Sequence, residues 1–333
     1  MQGRAISRRP FHSKVFDMNE IAGRTCPLAY RYGAAALADV PAATTETLYV
    51  VGGLYGNLQA LERVQAMVEA ESTPVTVVFN GDFNWFNIDD DSFQRINQAV
   101  LQHDALQGNV EFEFNGTDGA SGCGCAYPDT VDQDTVDRSN RIHARLKATA
   151  RRHPGILSQL AALPLFARYT VGAMTVGVVH GDADSLAGWM FDPTEMGKPE
   201  KHAMICDMFG QSRVNIFAST HTCVPALHSF KLAQGRRGVV INNGAAGMPN
   251  FMDKPGGLLT RISVHPSPHP PLYGEELGGV FIDSLQIEYD RALWQESFLA
   301  NWPSGSDAHQ SYFSRIDQGT CYMLAQATNH QVP

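Results

Sequence analysis

The chain predicts a layered α/β fold, and three features of its 333 residues carry that expectation. Strand-like and helix-like segments alternate from residue 47 onward, the pattern that builds a sheet covered by helices. Residues with ligand chemistry stand at the carboxyl ends of apolar runs, where the sites of open α/β sheets collect. Hydrophobic residues make up 44% and charged residues 18%, an ordinary globular composition that can bury a large core at this length.

Residues 1–45 lack periodicity until YRYGAAALAD, a short-helix signal, and form an N-terminal arm in this reading. From 46 to 300 runs the main domain. TLYVVGG is a buried strand, and GNLQALERVQAMVEAE repeats Leu58, Leu61, Val64 and Val68 at helical spacing behind Asn57 as N-cap. TPVTVVFNGD is the next strand, DDSFQRINQAVLQ a helix, and the alternation in VEFEF predicts a short strand with Glu111 facing solvent. Residues 116–134, GTDGASGCGCAYPDTVDQD, form an inserted loop of a length that compact domains reserve for function or disorder. A helix over 135–152 follows, then LFARYTVGAMTVGVVHGD as two antiparallel strands around a tight turn. KPEKHAMICDMFG is helical, VNIFAST a strand, and ALHSFKL with GRRGVVINNGAAG belongs to a second sheet. SVHPSPHPPLYG is a proline-rich surface loop, GVFIDSLQIEYD a closing strand, and 301–333 a helical extension.

Net charge excludes some partners. At −9 with a pI near 5.7, the chain lacks the basic face that neutralises a nucleic-acid backbone. No apolar run approaches the roughly 18–20 residues that span a bilayer, and the basic N-terminal stretch has no apolar segment after it, so a cytoplasmic protein without membrane contact is expected. Six cysteines in that setting do not imply a disulfide framework. The sequence leaves a homo-oligomer open.

Chemistry concentrates in four segments, VVGGLYGNLQAL, FNGDFN, QGNVEFE and ASTHTCVP, together with the HG at 180–181. Asp82, Asn109, His180 and His221 offer one carboxylate, one amide oxygen and two imidazoles, a donor set suited to a divalent Zn, Mn, Fe or Ni ion with room for water. Taken singly, each residue is more ordinary as a cap or a hydrogen-bonded core group; their common order is what points to a site.

With GNLQALERV, GD at 81–82, GNVE at 108–111, THTCVP at 220–225, NNGAAGMP and IEYD, the chain resembles the calcineurin-like metallophosphoesterases over about residues 47–300. The likeness is to the small bacterial phosphodiesterase and diadenosine-tetraphosphatase-like branch. That resemblance implies a four-layer α/β/β/α sandwich of sheets flanked by helices. It also implies that Asp82, Asn109, His180 and His221 hold one metal, with Asp82, Asn109 and His221 serving catalysis. The other metal's ligands are missing: its Asp and His fall on Gly53 and Tyr55, and its last His falls on Cys223.

Two accounts of that loss compete. Either one site is empty, or Cys223, Tyr55, Cys123 and Cys125 rebuild it as a thiolate-rich site for a second metal. Asp182 is a candidate to orient the ligands from outside, and Arg236, Arg237 and Arg261 are candidates for a phosphate contact. The leading expectation is a metal-dependent phosphoesterase acting on a small phosphomonoester, phosphodiester or nucleotide. Its alternatives are a non-catalytic metal-binding or scaffold protein, as in the metallophosphoesterase-like subunit of retromer, and an enzyme doing redox or transfer chemistry at a Cys-ligated metal.

Overall fold

Residues 21–116, 121–252 and 254–328 are described by the computed structural model. Helix α1 (Ala34–Ala38) and strand β1 (Ala43–Thr45) lead into β2 (Thr47–Val51), which is buried along its whole length. Helix α2 (Leu58–Glu69) starts where the Asn57 side chain accepts a hydrogen bond from the Ala60 amide at 2.9 Å, as its sequence position predicts. It buries Ala60, Leu61, Val64 and Met67, while Leu58 and Val68 lie at the edges of the apolar stripe. Strand β3 (Thr76–Asn80) and helix α3 (Asp90–Val100), capped by Asp89, complete the first alternation.

The next segment departs from the sequence reading. Strand β4 is Asp104–Leu106, and VEFEF belongs to helix α4 (Asn109–Glu113). Its two-residue alternation reflects no sheet face: Glu111 is fully buried, because its carboxylate caps the helix it sits on and binds the loop after β3. Helices α5 (Gln133–Ala150) and α6 (Pro154–Ala161) follow, then the antiparallel pair β5 (Phe166–Val171) and β6 (Met174–Val179). Helices α7 (Pro193–Met196) and α8 (Pro199–Ser212) precede β7 (Ile216–Ser219), β8 (Ala226–Lys231) and β9 (Arg237–Asn242). Strand β10 (Gly257–Ser263) and the hairpin of β11 (Pro271–Leu277) and β12 (Val280–Ile287) close the sheets, so the end of the proline-rich segment is an edge strand and not loop. Helices α9 (Arg291–Asn301), α10 (Asp307–Gln318) and α11 (Leu324–Thr328) end the described chain.

The strands form two six-stranded sheets, ordered β1-β5-β6-β7-β9-β8 and β11-β12-β10-β2-β3-β4. Side-chain alternation explains the layers. Leu48, Val50 and Val78 meet Val176, Val178, Ile216, Ala218, Val239 and Ile241 between the sheets. The intervening Tyr49, Val51, Val77 and Phe79 turn outward to α2, α3, α5 and α9. On the far side Phe217 and Val240 face α1 and α8. The result is the four-layer α/β/β/α sandwich. Among the described residues no helix is long and apolar enough to cross a membrane. Of the N-terminal arm, residues 1–20 lie outside the described residues, as do 117–120 of the inserted loop and 329–333 of the C-terminal stretch.

One buried ion cluster fastens the second sheet. Arg261 on β10 has no exposed side-chain surface and donates to Glu71 at 2.6 and 3.1 Å, with Asp283 on β12 3.5 Å away. Burial pushes the Glu71 carboxyl up, but the Arg261 guanidinium and the Tyr49 hydroxyl outweigh it, so the group sits below the usual carboxylate value. Stability from this pair is present above the unfolded carboxylate range and is lost as pH falls through the depressed native value. Arg261→Met is expected to cost about 3–5 kcal/mol in urea denaturation at neutral pH, because it leaves buried carboxylates unpaired. The gap from wild type should narrow in acid.

Candidate metal centre

Four acceptor atoms converge where the carboxyl ends of β3, β4, β6 and β7 meet. His180 follows β6, and its Nδ1 donates to the Asn80 carbonyl at 2.8 Å, which leaves Nε2 turned toward the centre. His221, two residues past β7, donates from Nε2 to the Cys125 carbonyl at 3.1 Å and presents Nδ1. Asn109 opens α4, and its Nδ2 donates to the Cys123 carbonyl at 2.9 Å, fixing Oδ1 as the inward atom. Asp82 accepts the Val110 amide on Oδ1 at 3.1 Å and turns Oδ2 toward His180. A backbone carbonyl only accepts, so each imidazole tautomer and the amide orientation are set by its outer partner.

Three inner distances from His180 are alike. His180 Nε2 lies 3.3 Å from Asp82 Oδ2, 3.2 Å from Asn109 Oδ1 and 3.2 Å from His221 Nδ1. Ligand atoms of Asp82, His180 and His221 all fall within 4.8 Å of one another. A tetrahedral ion with bonds of about 2.1 Å separates its ligands by about 3.4 Å. A charge-assisted hydrogen bond to a carboxylate is shorter, at about 2.7–2.9 Å. One proton on His180 would serve three acceptors poorly, whereas a cation among them would serve all four, and the donor set fits a divalent metal. Burial lowers His180, but Asp82 beside it raises the imidazole above its usual value; burial raises Asp82, and His180 brings its carboxyl below the ordinary range. Burial and then His180 hold His221 down at about 4, so it is a neutral imidazole.

The Asp82 loop is held by Glu111. Its carboxylate accepts the Asp82 amide at 2.8 Å and the Gly108 amide at 3.1 Å on one oxygen, and the Asn84 amide and side chain at 3.1 and 3.2 Å on the other. Burial and the charge on Asp82 push this carboxyl up to about 7, yet four donors and no acceptor surround it, which favours the ionised form. Tyr55, Asp82 and Cys223 all have left-handed backbone, with φ of 57°, 53° and 58°. Such strain in non-glycine residues gathers where a site requires it.

The neighbouring position is filled differently. A Cβ on Gly53 would lie 2.9 Å from the Tyr55 ring, so the tyrosine occupies the space an acidic side chain there would need. The Tyr55 hydroxyl bonds Cys223 Sγ at 2.7 Å. Burial raises both groups above their ordinary values, which keeps the pair a neutral phenol and thiol. The carbonyls of Cys123 and Cys125 hold Asn109 and His221, and burial raises the Cys125 thiol as well. Among the described residues, the compact group of potential ligands is Asp82, His180 and His221, without sulfur.

Other candidates resolve plainly. Asp182 touches no ligand; it accepts the amides of Asp184, Ser185 and Met190 at 2.9, 3.0 and 3.1 Å and so folds the loop that carries Trp189. Arg261 is spent on Glu71, and Arg237 bonds Glu275 at 2.7 Å.

A cleft of about 250 Å³ opens onto the centre, lined by Asp82, Asn109 and His221 and walled by Trp85, Tyr127, Trp189 and Tyr312. The Cys125 carbonyl also accepts the Trp189 indole N–H at 3.2 Å, and that ring stands edge-on to His221 at 5.5 Å between centroids. Sequence reasoning missed Trp189, Tyr312 and Arg315. Arg315 and Tyr312 lie on α10, within the stretch read as an extension, and no local motif marks them.

Glu111→Gln puts an amide nitrogen where backbone N–H groups donate. Chemical denaturation should show a loss of about 2–4 kcal/mol, and Glu111→Asp should fall between it and wild type.

No family model and no curated protein matches the chain. Solved structures do. A hypothetical protein from Pyrococcus horikoshii OT3 aligns with a TM-score of 0.50 at 13% identity, covering 83% of this chain and 99% of its own. A metallophosphoesterase from Sphaerobacter thermophilus aligns with a TM-score of 0.49 at 15% identity, covering 82% and 100%. At such identity likeness speaks for architecture alone: paired six-stranded sheets with flanking helices are the arrangement this chain shares with the Pyrococcus horikoshii protein.

Proposed function

We propose that the chain is a metal-dependent phosphoesterase that hydrolyses a small phosphomonoester, phosphodiester or nucleotide, with one metal held by Asp82, Asn109, His180 and His221. The observation that carries this reading is the convergence of four acceptor atoms, each aimed by a main-chain partner and none supplied with a good donor. A divalent cation there supplies Lewis-acid charge, which activates water and neutralises phosphoryl oxygens.

The chain's own residues do the rest. Asp82 and His221 each keep 7% of their surface exposed and line the cleft, whereas His180 has none, so access to the centre is from the Asp82–His221 side. The Val110 amide pins Asp82 Oδ1 and so directs Oδ2 inward. Aromatic walls limit bulk water and offer flat surfaces to an organic group on the phosphate. The absence of a basic surface favours a small substrate over a polymer. Six free cysteines support a reducing compartment such as the cytoplasm.

A second reading has one specific observation behind it. Tyr55 plugs the position of the missing ligands, as it would in a metal-binding protein that has lost catalysis. Hydrolysis of bis-p-nitrophenyl phosphate with Mn, Ni, Fe or Zn separates the two. Wild type should turn over with at least one of these metals, and Asp82→Asn should lower the rate by on the order of a hundredfold; no metal-dependent turnover under any condition sinks the enzyme reading. Metal analysis should give one equivalent per chain, unchanged by Cys223→Ser. His180→Ala should weaken binding by more than the about 10–100-fold typical of losing an outer partner.

A further inference from the structure

We propose that Arg315 is an anion subsite, taking a phosphoryl oxygen of the substrate at the end of the cleft where the second metal's ligands are missing. The idea rests on the metal-dependent phosphoesterase reading, and it adds a residue from α10 that no motif announces.

Arg315 lines the same cleft as Asp82, Asn109 and His221. Among the described residues lining that cleft, it is the one permanently cationic side chain. Its protein partners are all neutral. Nε donates to the Pro249 carbonyl at 2.8 Å, and Nη2 donates to the Cys223 carbonyl at 3.2 Å and to Asn250 Oδ1 at 3.1 Å. Nη1 has no hydrogen-bond partner among the described residues, and no carboxylate there comes within ion-pair distance. Arg261 shows the contrast, since its buried charge is met by Glu71 and Asp283.

A guanidinium fixed by carbonyls and left without a counter-charge among the described residues is a preorganised receptor for a planar or tetrahedral oxyanion. Its placement matters as much. Arg315 donates to the Cys223 carbonyl and the Cys223 thiol bonds the Tyr55 hydroxyl, so the guanidinium sits beside the neutral Tyr55–Cys223 pair in the cleft that Asp82 also lines. With one metal bound at Asp82, a phosphate bridging the cleft would need positive charge at its far side, and Arg315 supplies it without a second ion. The ligand class that fits is a phosphate ester whose flat or apolar group lies against Trp85, Tyr127, Trp189 and Tyr312.

The test is binding of inorganic phosphate to the full chain after chelator dialysis, followed by fluorescence of the cleft tryptophans. Wild type is expected to bind, Arg315→Gln at least about tenfold more weakly, and Arg315→Lys within a few-fold of wild type, since the lysine restores charge that a merely structural role would not need. Binding should weaken with added salt. Equal affinity in Arg315→Gln, or no phosphate binding by wild type, overturns the subsite. Should Arg315→Gln not fold, phosphate protection of Arg315 from phenylglyoxal in wild type, read by peptide mass, decides the point: protection supports it and equal modification removes it. No phosphate binding by wild type, with metal-dependent hydrolysis intact, removes the Arg315 subsite alone. Phosphate binding retained without any hydrolysis removes the enzyme reading and leaves the subsite standing.

Discussion

The Glu111 carboxylate is the constraint on which the centre depends. It draws the amides of Asp82, Asn84 and Gly108 to one buried anion and so clamps the loop after β3 against the start of α4. That clamp sets Asp82 in left-handed backbone and brings it so near Gly108 that a Cβ there would lie 2.1 Å from Asp82 Oδ1. Glycine at 108 is therefore a packing requirement. With the loop fixed, the Val110 amide meets Oδ1 and Asn109 projects from the first turn of the same helix. Two of the four inner atoms thus follow from one carboxylate.

The other two are fixed by stitching between the sheets. Asn80, last residue of β3, donates its side chain to the Val179 carbonyl at 2.8 Å and offers its own carbonyl to His180 Nδ1 at the same distance. The amides of Thr220 and His221 then bond the His180 carbonyl at 3.1 and 2.9 Å, tying the exit of β7 to that of β6. A shift of one sheet against the other would break these contacts together, so the sandwich core and the centre share one geometry.

Much of this was legible in the sequence, and the exceptions have physical causes. The strands at 47–51, 76–80 and 216–219 are apolar runs, and helix α2 carries both a cap and a 3.6-residue stripe. VEFEF misled because a five-residue helix is too short to show that period, and because Glu111 and Glu113 point inward to partners: the loop amides for one, the Tyr30 hydroxyl at 2.6 Å for the other. Alternation reports burial only where charged residues stay outside. Asp82, Asn109, His180 and His221 were visible through their order along the chain. Arg315 and Trp189 were not, because their role arises from tertiary approach alone. The carbonyls of Cys123 and Cys125 belong to the same class: the residues drew notice for their sulfur, whereas their backbone oxygens orient Asn109 and His221.

Charge balance distinguishes the two ends of the cleft. Asp82 is a buried carboxylate, and removing His180 would leave it without the cationic partner that offsets its desolvation. No such penalty attends the other end. Gly53 removes a charge, the Tyr55 ring takes its volume, and Cys223 gives the phenol a neutral partner, so that side satisfies itself without any ion. The three positions are coupled, since an acidic side chain at 53 would collide with the ring and a smaller residue at 55 would leave the Cys223 thiol only the His221 carbonyl at 3.4 Å. The centre thus sets a self-satisfied neutral pair beside a cage of four acceptors.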